Sequence, residues 1–298
     1  MARICIVRQN YYPYAMDYHV QRDALTLIHD GHQVDVVCLR GPGQRMSETV
    51  DGVKVYRVPV RKTRGGIRRY LFEYGTFFLL TFLLLTFLMV RRRYQAVEVD
   101  TMPDALVFSA LGPKLMGADV ILYLFECMPE LFMDTYGVSQ NHPMTRLLRV
   151  MESRASRFAD HVVYCGPGYR AIQEPRAGKQ LETSVVLNVP DDALFMPEQV
   201  SPPRLREAGE PFRVVTHGSL LEKYGVQTLV EASALLVGRI PNLEVLVAGD
   251  GEYRQELEEL SRSTGADAVV RFVGMLPAQE IPQFISQADI GVVTIIHG

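Results

Sequence analysis

The chain has 298 residues and a formal net charge of −3, with 48% hydrophobic and 22% charged residues. That length exceeds one ordinary domain and suits two, each large enough to bury its own core. The near-neutral charge excludes a general pull on nucleic acid. The four cysteines (Cys5, Cys38, Cys127 and Cys165) lie far apart with no CxxC or metal spacing, which excludes a disulfide framework and implies reduced thiols in the cytoplasm.

At the N-terminus "RICIV" is a β-branched apolar run of strand length, too short for the core of a secretory signal. The loop "RQNYYPYAMDY" follows, carrying Tyr12, Tyr14 and Asp17. After His19, the residues Val20, Ala24, Leu27 and Ile28 recur at helical spacing, and Gly31 ends the helix. "HQVDVVCL", "GVKVYRVPV", "QAVEVD", "DVILYLF" and "HVVYC" read as further strands. Strands alternating with helices predict a parallel sheet covered on both faces.

Between "GVKVYRVPV" and "QAVEVD" lies the strongest apolar signal, "GTFFLLTFLLLTFLMVRRR". Before it come Arg57, Arg61, Lys62, Arg64, Arg68 and Arg69; Arg91, Arg92 and Arg93 close it. Residues 75–90 would make a helix of about 24 Å, short of the ~30 Å hydrocarbon core of a bilayer. Three readings stand: a helix packed in the core, a membrane-spanning helix, and a helix lying in the plane of a membrane. A span would put the flanking strands on opposite sides of the bilayer. The in-plane reading makes residues 57–93 a membrane-facing surface for anionic headgroups, and places the protein peripherally on the inner face of the membrane.

Four prolines between Asn188 and Pro203, in a mostly polar stretch, mark a linker over residues 189–210. Residues 1–188 then form a first domain and 211–298 a second. In the second, "FRVVTHG", "NLEVLVAGDG", "VVRFVG" and "DIGVVTII" read as strands and "GVQTLVEASALLVG", "EYRQELEELSRS" and "AQEIPQFISQA" as helices. The expected architecture is α/β: two Rossmann-like domains facing a cleft, the second incomplete because the sequence stops just past a strand. Ligands of open α/β sheets sit at the carboxyl ends of the strands.

Three strand ends in the second half carry glycine: Gly218, the trio Gly249, Asp250 and Gly251, and Gly274. Glycine after a strand allows a sharp turn and close approach of a ligand, and a following helix start favours phosphate. With Ser219 and the ammonium of Lys223 nearby, a nucleoside diphosphate is the natural occupant. The alternatives are ordinary turn glycines, a solvated Lys223, and Asp250 as a helix cap. His217 either reaches the phosphates or packs at the cleft edge. No G-x-G-x-x-G follows the first strand, so a nicotinamide-type site there is not expected.

The stretches "VVTHGSLLEKYGVQTLVEASALL", "LEVLVAGDGEYRQELEEL", "VRFVGMLPAQEIPQFISQADIGVV" and "VVLNVPDDALF" resemble the group 1 (family 4) glycosyltransferases of the GT-B fold. "YYPYAMDYHVQRDALTLIHDGHQVDVVCL" and "ESRASRFADHVVYCGPGYRAI" look like the acceptor-side domain of that family. The resemblance implies a retaining transfer of sugar from a nucleotide-sugar donor to a glycan or lipid-linked acceptor. It implies surface polysaccharide or glycolipid assembly as the setting, with no metal and no cofactor beyond the donor substrate. On it, Gly218, Ser219, Gly249, Asp250, Gly251 and Gly274 would hold the donor, with Lys223 as a candidate substitute rather than a matched ligand; Tyr12, Tyr14, Asp17 and His19 would lie on the acceptor side, the alternative for their loop being a surface Ω-loop.

Departures from the family pattern accompany these matches. Ser219 stands where the family has Arg, and Tyr224 where it has Lys, with Lys223 one position earlier. The bulky "NYYPYAMDY" replaces a glycine-rich loop. Phe125 stands at the position of a frequent histidine, leaving Glu126 as the ionisable group there, either a substrate contact or a helix-start acid. The family's E-x7-E segment would lie beyond the final strand. Glu126 and His217 are the catalytic candidates. A nucleotide-sugar epimerase of the same fold and a non-catalytic binding protein are the rival readings.

Overall fold

The computed structural model describes residues 1–13, 19–61, 67–190, 195 and 209–295. Its contacts divide the chain into two compact units, Met1–Val189 and Pro190–Gly298.

The first unit is built on an eight-stranded sheet in the order β3-β4-β2-β1-β5-β6-β7-β8. The strands are β1 (Arg3–Val7), β2 (Gln33–Leu39), β3 (Ser47–Val50), β4 (Val53–Val58), β5 (Ala96–Asp100), β6 (Asp119–Leu124), β7 (His161–Tyr164) and β8 (Thr183–Val185). All neighbours run parallel except β3, which pairs antiparallel with β4. That hairpin turns on Asp51 and Gly52, both at positive φ, the backbone a two-residue turn demands. Burial explains the parallel strands. Cys5, Ile6 and Val7 and the apolar residues of β2 are covered on both faces, so these strands read as continuous apolar runs. β3 and β8 are short and polar at the two edges of the sheet, and the sequence pattern did not announce them.

Chain order reverses at β1, which has β2 on one side and β5 on the other. In a doubly wound sheet such a reversal opens a crevice at the carboxyl ends of the two strands. Arg8 and Asp100 stand there.

The apolar stretch forms one 26-residue helix, α2 (Ile67–Arg92), after α1 (His19–His29). Phe77, Thr81, Leu85, Leu88 and Met89 lie on its buried side, and its apolar members join the core that also holds Val7, Val97 and Leu106. The crossover from β4 to β5 thus covers one face of the sheet. The end of α2 is tied down: Arg92 donates to the Tyr56 hydroxyl at 2.9 Å and pairs with Asp35 at 3.2 Å, and Tyr94 donates to Asp35 at 2.6 Å. Arg57, expected among the membrane-facing cations, is instead fully buried. It ion-pairs with Glu48 at 2.6 Å and donates to the carbonyls of Arg45 and Tyr12. A guanidinium buried this deeply and held by three acceptors offers nothing to a surface. Lys62 and Arg64 lie outside the described residues.

The remaining helices of this unit are α3 (Leu111–Leu115), α4 (Met128–Tyr136), α5 (Pro143–Phe158) and α6 (Pro167–Gln173). The second unit has a four-stranded parallel sheet in the order β11-β10-β9-β12, from β9 (Phe212–His217), β10 (Leu243–Ala248), β11 (Val270–Gly274) and β12 (Ile290–Gly291). Its helices are α7 (Val226–Leu236), α8 (Arg254–Thr264) and α9 (Ile281–Ser286). Val226, Leu229 and Val230 of α7 and Leu257 of α8 pack on Val245 and Val247. Here the reversal falls at β9, between β10 and β12.

Candidate functional site

In the second unit the segment after β9 lies directly on the segment after β10. Gly218 donates to the Ala248 carbonyl at 3.0 Å, Leu220 to Asp250 at 3.0 Å, and Gly249 to Gly274 at 2.8 Å. A Cβ on Gly249 would fall 1.8 Å from the Gly218 oxygen, and one on Gly251 would fall 2.2 Å from the Leu220 oxygen. Gly249 and Gly251 are therefore required by backbone against backbone. The amides of Gly218 and Gly249, expected to grip phosphate, are already engaged in the sheet edge, and that of Gly251 bonds to the Asp250 side chain at 2.9 Å. The Ser219 amide has no such bond among the described residues.

This stack floors a pocket of about 310 Å³ at the carboxyl edge of β9, lined by Thr216, His217, Gly218, Ser219, Leu220, Tyr224, Val226, Ala248, Val293, Thr294 and Ile295. Gly225, at φ +70°, turns the chain into α7, so the first turn of that helix stands in the pocket wall. Thr228 donates to the Gly225 carbonyl at 2.9 Å, which leaves the Val226 and Gln227 N–H groups as the leading donors, at the positive end of the helix dipole. Thr294 donates to the Tyr224 carbonyl at 2.9 Å and fixes the opposite wall. His217 and Ser219, both exposed, line the pocket. Lys223 does not line it; its ammonium lies 5.3 Å from the centre of the Tyr224 ring, which does. Asp250 and Gly274 sit at the neighbouring strand ends, where Arg254 pairs with Glu258 at 2.8 Å.

In the first unit, the crevice beside β1 holds a dense polar and aromatic cluster. Arg8 pairs with the buried Asp100 at 3.2 Å, and its guanidinium lies 5.1 Å from the centre of the Phe125 ring. His19 is buried, edge-on to Tyr123 and Phe125, with Nε2 2.9 Å from Asp23. Burial raises the carboxyl pKa values of Glu98 and Asp100 above the ordinary range, although Arg8 pulls against it at Asp100. Tyr12 is buried as well; burial pushes its phenol up to about 12, and its carbonyl is the one held by Arg57. Tyr12 and His19, expected to face the acceptor, are thus core groups that shape the crevice wall. Tyr14 and Asp17 lie outside the described residues. Glu126, half-buried in the turn between β6 and α4, stands at the same edge, and its carbonyl accepts from Gln173 at 3.0 Å. The catalytic candidates Glu126 and His217 belong to different units.

Among the described residues no group of three or more His, Cys, Asp or Glu side chains is arranged to hold a metal.

Two doubly wound α/β units in tandem, each with a switch point at its carboxyl edge, make this a GT-B fold. A profile described as "Glycosyl transferase 4-like domain" matches residues 15–188, and one described as "Glycosyl transferases group 1" matches residues 198–297. The chain belongs to the group 1 glycosyltransferases. Among curated proteins it is 32% identical over 84 residues to a lipopolysaccharide core biosynthesis glycosyltransferase, LpsE, of Rhizobium meliloti; the match covers 28% of this chain and 23% of that protein. It is 28% identical over 103 residues to a GDP-mannose-dependent phosphatidylinositol monomannoside mannosyltransferase of Mycolicibacterium smegmatis, covering 34% of this chain and 27% of that one. The matches thus span about a quarter of each curated relative. Among solved structures, sucrose-phosphate synthase of Thermosynechococcus elongatus aligns with a TM-score of 0.73 at 17% identity, over 98% of this chain and 75% of the other. Anabaena HepE in complex with UDP aligns with a TM-score of 0.65 at 17% identity, over 100% of this chain and 75% of the other.

Proposed function

We propose that this protein is a retaining glycosyltransferase that moves a sugar from a nucleotide-sugar to a glycan or lipid-linked acceptor at a membrane, in surface polysaccharide or glycolipid assembly. The observation that carries the reading is the pocket at the end of β9. There an open amide, the Ser219 hydroxyl, His217 and the start of α7 meet on a floor made rigid by the Gly218–Gly249 stack. A nucleoside diphosphate leaving group develops negative charge as the glycosidic bond breaks. Preoriented N–H donors and a helix start stabilise that charge without reorganising. His217 adds a hydrogen-bonding imidazole at the same wall. Lys223 supplies a cation by swinging off Tyr224, while Asp250 and Gly274 border the site. The Arg8 and Glu126 edge of the first unit receives the acceptor hydroxyl. The relatives support the setting: one is named for lipopolysaccharide core synthesis and another for a phosphatidylinositol-linked acceptor.

Calorimetry with UDP, GDP and dTDP tests the donor site. One of the three binds, and Ser219→Pro, which removes the open amide, weakens that binding by about tenfold or more, the worth of a hydrogen bond to a charged group. Ser219→Ala keeps the amide and binds within a few-fold of wild type. Failure of all three nucleotides to bind overturns the reading. Recovery of an epimerised nucleotide-sugar from a radiolabelled donor replaces it with the epimerase.

A further inference from the structure

Five large apolar side chains form an uncovered line along α2. Phe72, Leu79, Leu83, Phe87 and Val90 recur at i, i+7, i+11, i+15 and i+18, each between 52% and 72% exposed. At 1.5 Å per residue the line is about 27 Å long. It lies opposite Phe77, Thr81 and Leu85, which the core covers. It also widens sideways onto α3. Val90 and Met116 line one shallow hollow of about 450 Å³ with Arg93, and Leu115 beside it is 79% exposed. Thr86 spends its hydroxyl on the Phe82 carbonyl at 2.8 Å and so adds no unmet polar group. An uncovered apolar surface of this extent marks an interaction site.

Charge selects the occupant. Arg61 and Arg69 are exposed near the start of the line, and Arg91 and Arg93 at its end. Glu73 is the single acid from residue 71 to residue 93, and it pairs with Arg69 at 3.8 Å. Self-pairing of two copies through this line, parallel or antiparallel, sets basic ends against basic ends. A membrane-spanning placement would strip the opposite face from the sheet and break the Arg92–Asp35 tie. A bilayer surface of anionic lipid satisfies both features at once: the side chains enter the acyl boundary, and the arginines at either end stay among headgroup phosphates. The Arg91 guanidinium already lies 4.6 Å from the centre of the Phe87 ring, its stem along apolar surface and its charge outward.

We infer that the exposed line of α2, with its neighbours on α3, docks flat on an anionic bilayer. The helix runs from the end of β4 to the start of β5, antiparallel to the strands. It therefore begins at the carboxyl edge that holds Arg8, Asp100 and Glu126. Docking brings that edge to the headgroup layer, where the sugar of a lipid-anchored acceptor projects. This last step rests on the glycosyltransferase reading; the docking does not.

The chain contains no tryptophan, so a single introduced one reports its own surroundings. Leu83→Trp, with Phe72→Trp, Val90→Trp and a control at the exposed Leu235 of the second unit, is titrated with vesicles of phosphatidylglycerol and phosphatidylcholine. Emission at positions 72, 83 and 90 shifts to the blue, and brominated lipids quench all three from one shallow depth, while position 235 does not respond. Paired L79D/L83D in the L83-independent reporter Val90→Trp lowers vesicle affinity by roughly tenfold or more with the melting temperature kept. Raising the salt, which shortens the screening length from about 10 Å at 0.1 M, weakens binding of the unaltered chain. Absence of vesicle binding by the folded protein, equal binding by L79D/L83D, or a self-associated species that the same pair disperses without any vesicle binding overturns the docking. A central depth maximum at position 83 replaces it with a span. Nucleotide calorimetry on the same samples without vesicles reports separately on the glycosyltransferase reading.

Discussion

Gly249 and Gly218 touch so closely that a methyl group on the first would stand 1.8 Å from the carbonyl oxygen of the second. Gly249 also has φ +139°, a backbone that L side chains rarely adopt. Gly218 has φ +145° but open space where its Cβ would be. The two glycines therefore fail differently. Gly249→Ala must push β10 away from the pocket floor, and it lowers the melting temperature by several degrees and abolishes nucleoside diphosphate binding. Gly218→Ala meets only backbone strain, about 1–3 kcal/mol, and retains measurable binding. Thermal melts and calorimetry on the pair check this. Equal effects would show that the close approach does not govern the site.

That contrast also marks what the sequence could and could not disclose. The strand–glycine–helix rhythm put Gly218, Gly249 and Gly274 at strand ends, because turns after parallel strands constrain local backbone and local backbone is written in residue type. What each glycine is for depends on a partner thirty residues away, and no periodicity carries that. Tyr12 and His19 show the same limit from the other side. A polar loop before a helix looked like surface, yet Arg57 and Phe125, remote in sequence, bury both. The β3–β4 turn on Asp51 and Gly52 emerged only with the structure. The polar "SETV" beside it hid the strand because edge strands need no apolar face. In α2 an apolar residue at nearly every position left no contrast between the faces, so only packing separated the covered side from the exposed one.

Arg57 is the most heavily committed buried cation described. It holds Glu48, the Arg45 carbonyl and the Tyr12 carbonyl together, and so fixes the loop after β1 to the far side of β4. Arg57→Ala leaves a carboxylate and two carbonyls without their donor and costs about 3–5 kcal/mol. Arg57→Lys recovers only part of this, since one ammonium cannot reach three acceptors in the planar fork that Arg supplies. Denaturant titrations of the three proteins rank them wild type, Lys, Ala. Proteolysis of the Ala variant near residues 9–13 should rise in step.

Asp104 gives the first unit an unusual pH response. It is buried at the start of the turn after β5, and burial, aided by the charge of Glu152, pushes its carboxyl up to about 7. The folded state then holds a proton that the unfolded state, with an ordinary carboxyl near 4, releases. Between those values the folded form binds more protons, so this group's contribution to stability is full below about pH 4 and declines as pH rises to about 7. Asp104→Asn removes that decline. The variant gains several degrees in melting temperature relative to wild type at pH 8 and little at pH 4. Parallel profiles for the two proteins across this range would exclude Asp104 as the titrating group.

Gly112 in α3 and Thr86 in α2 set how near the two helices lie. A Cβ at residue 112 would stand 2.2 Å from the Thr86 hydroxyl oxygen and 3.0 Å from its Cβ. Threonine is branched at Cβ and stiff within a helix, so it cannot swing clear. Gly112→Ala therefore drives α3 off α2 at a cost of about 1–3 kcal/mol, the usual penalty of overpacking. Thr86→Ala alone is mild, because the lost hydroxyl bonds only to the helix's own Phe82 carbonyl. Combining them removes the hydroxyl and the γ-methyl from the collision and recovers most of the loss, a coupling that residues out of contact would not show. Melts of the four proteins in the cycle measure it. The same cycle followed by vesicle binding separates the α2–α3 contact from the exposed apolar line: the double variant binds as wild type does, because the contact with α3 is restored and Leu79 and Leu83 keep their side chains.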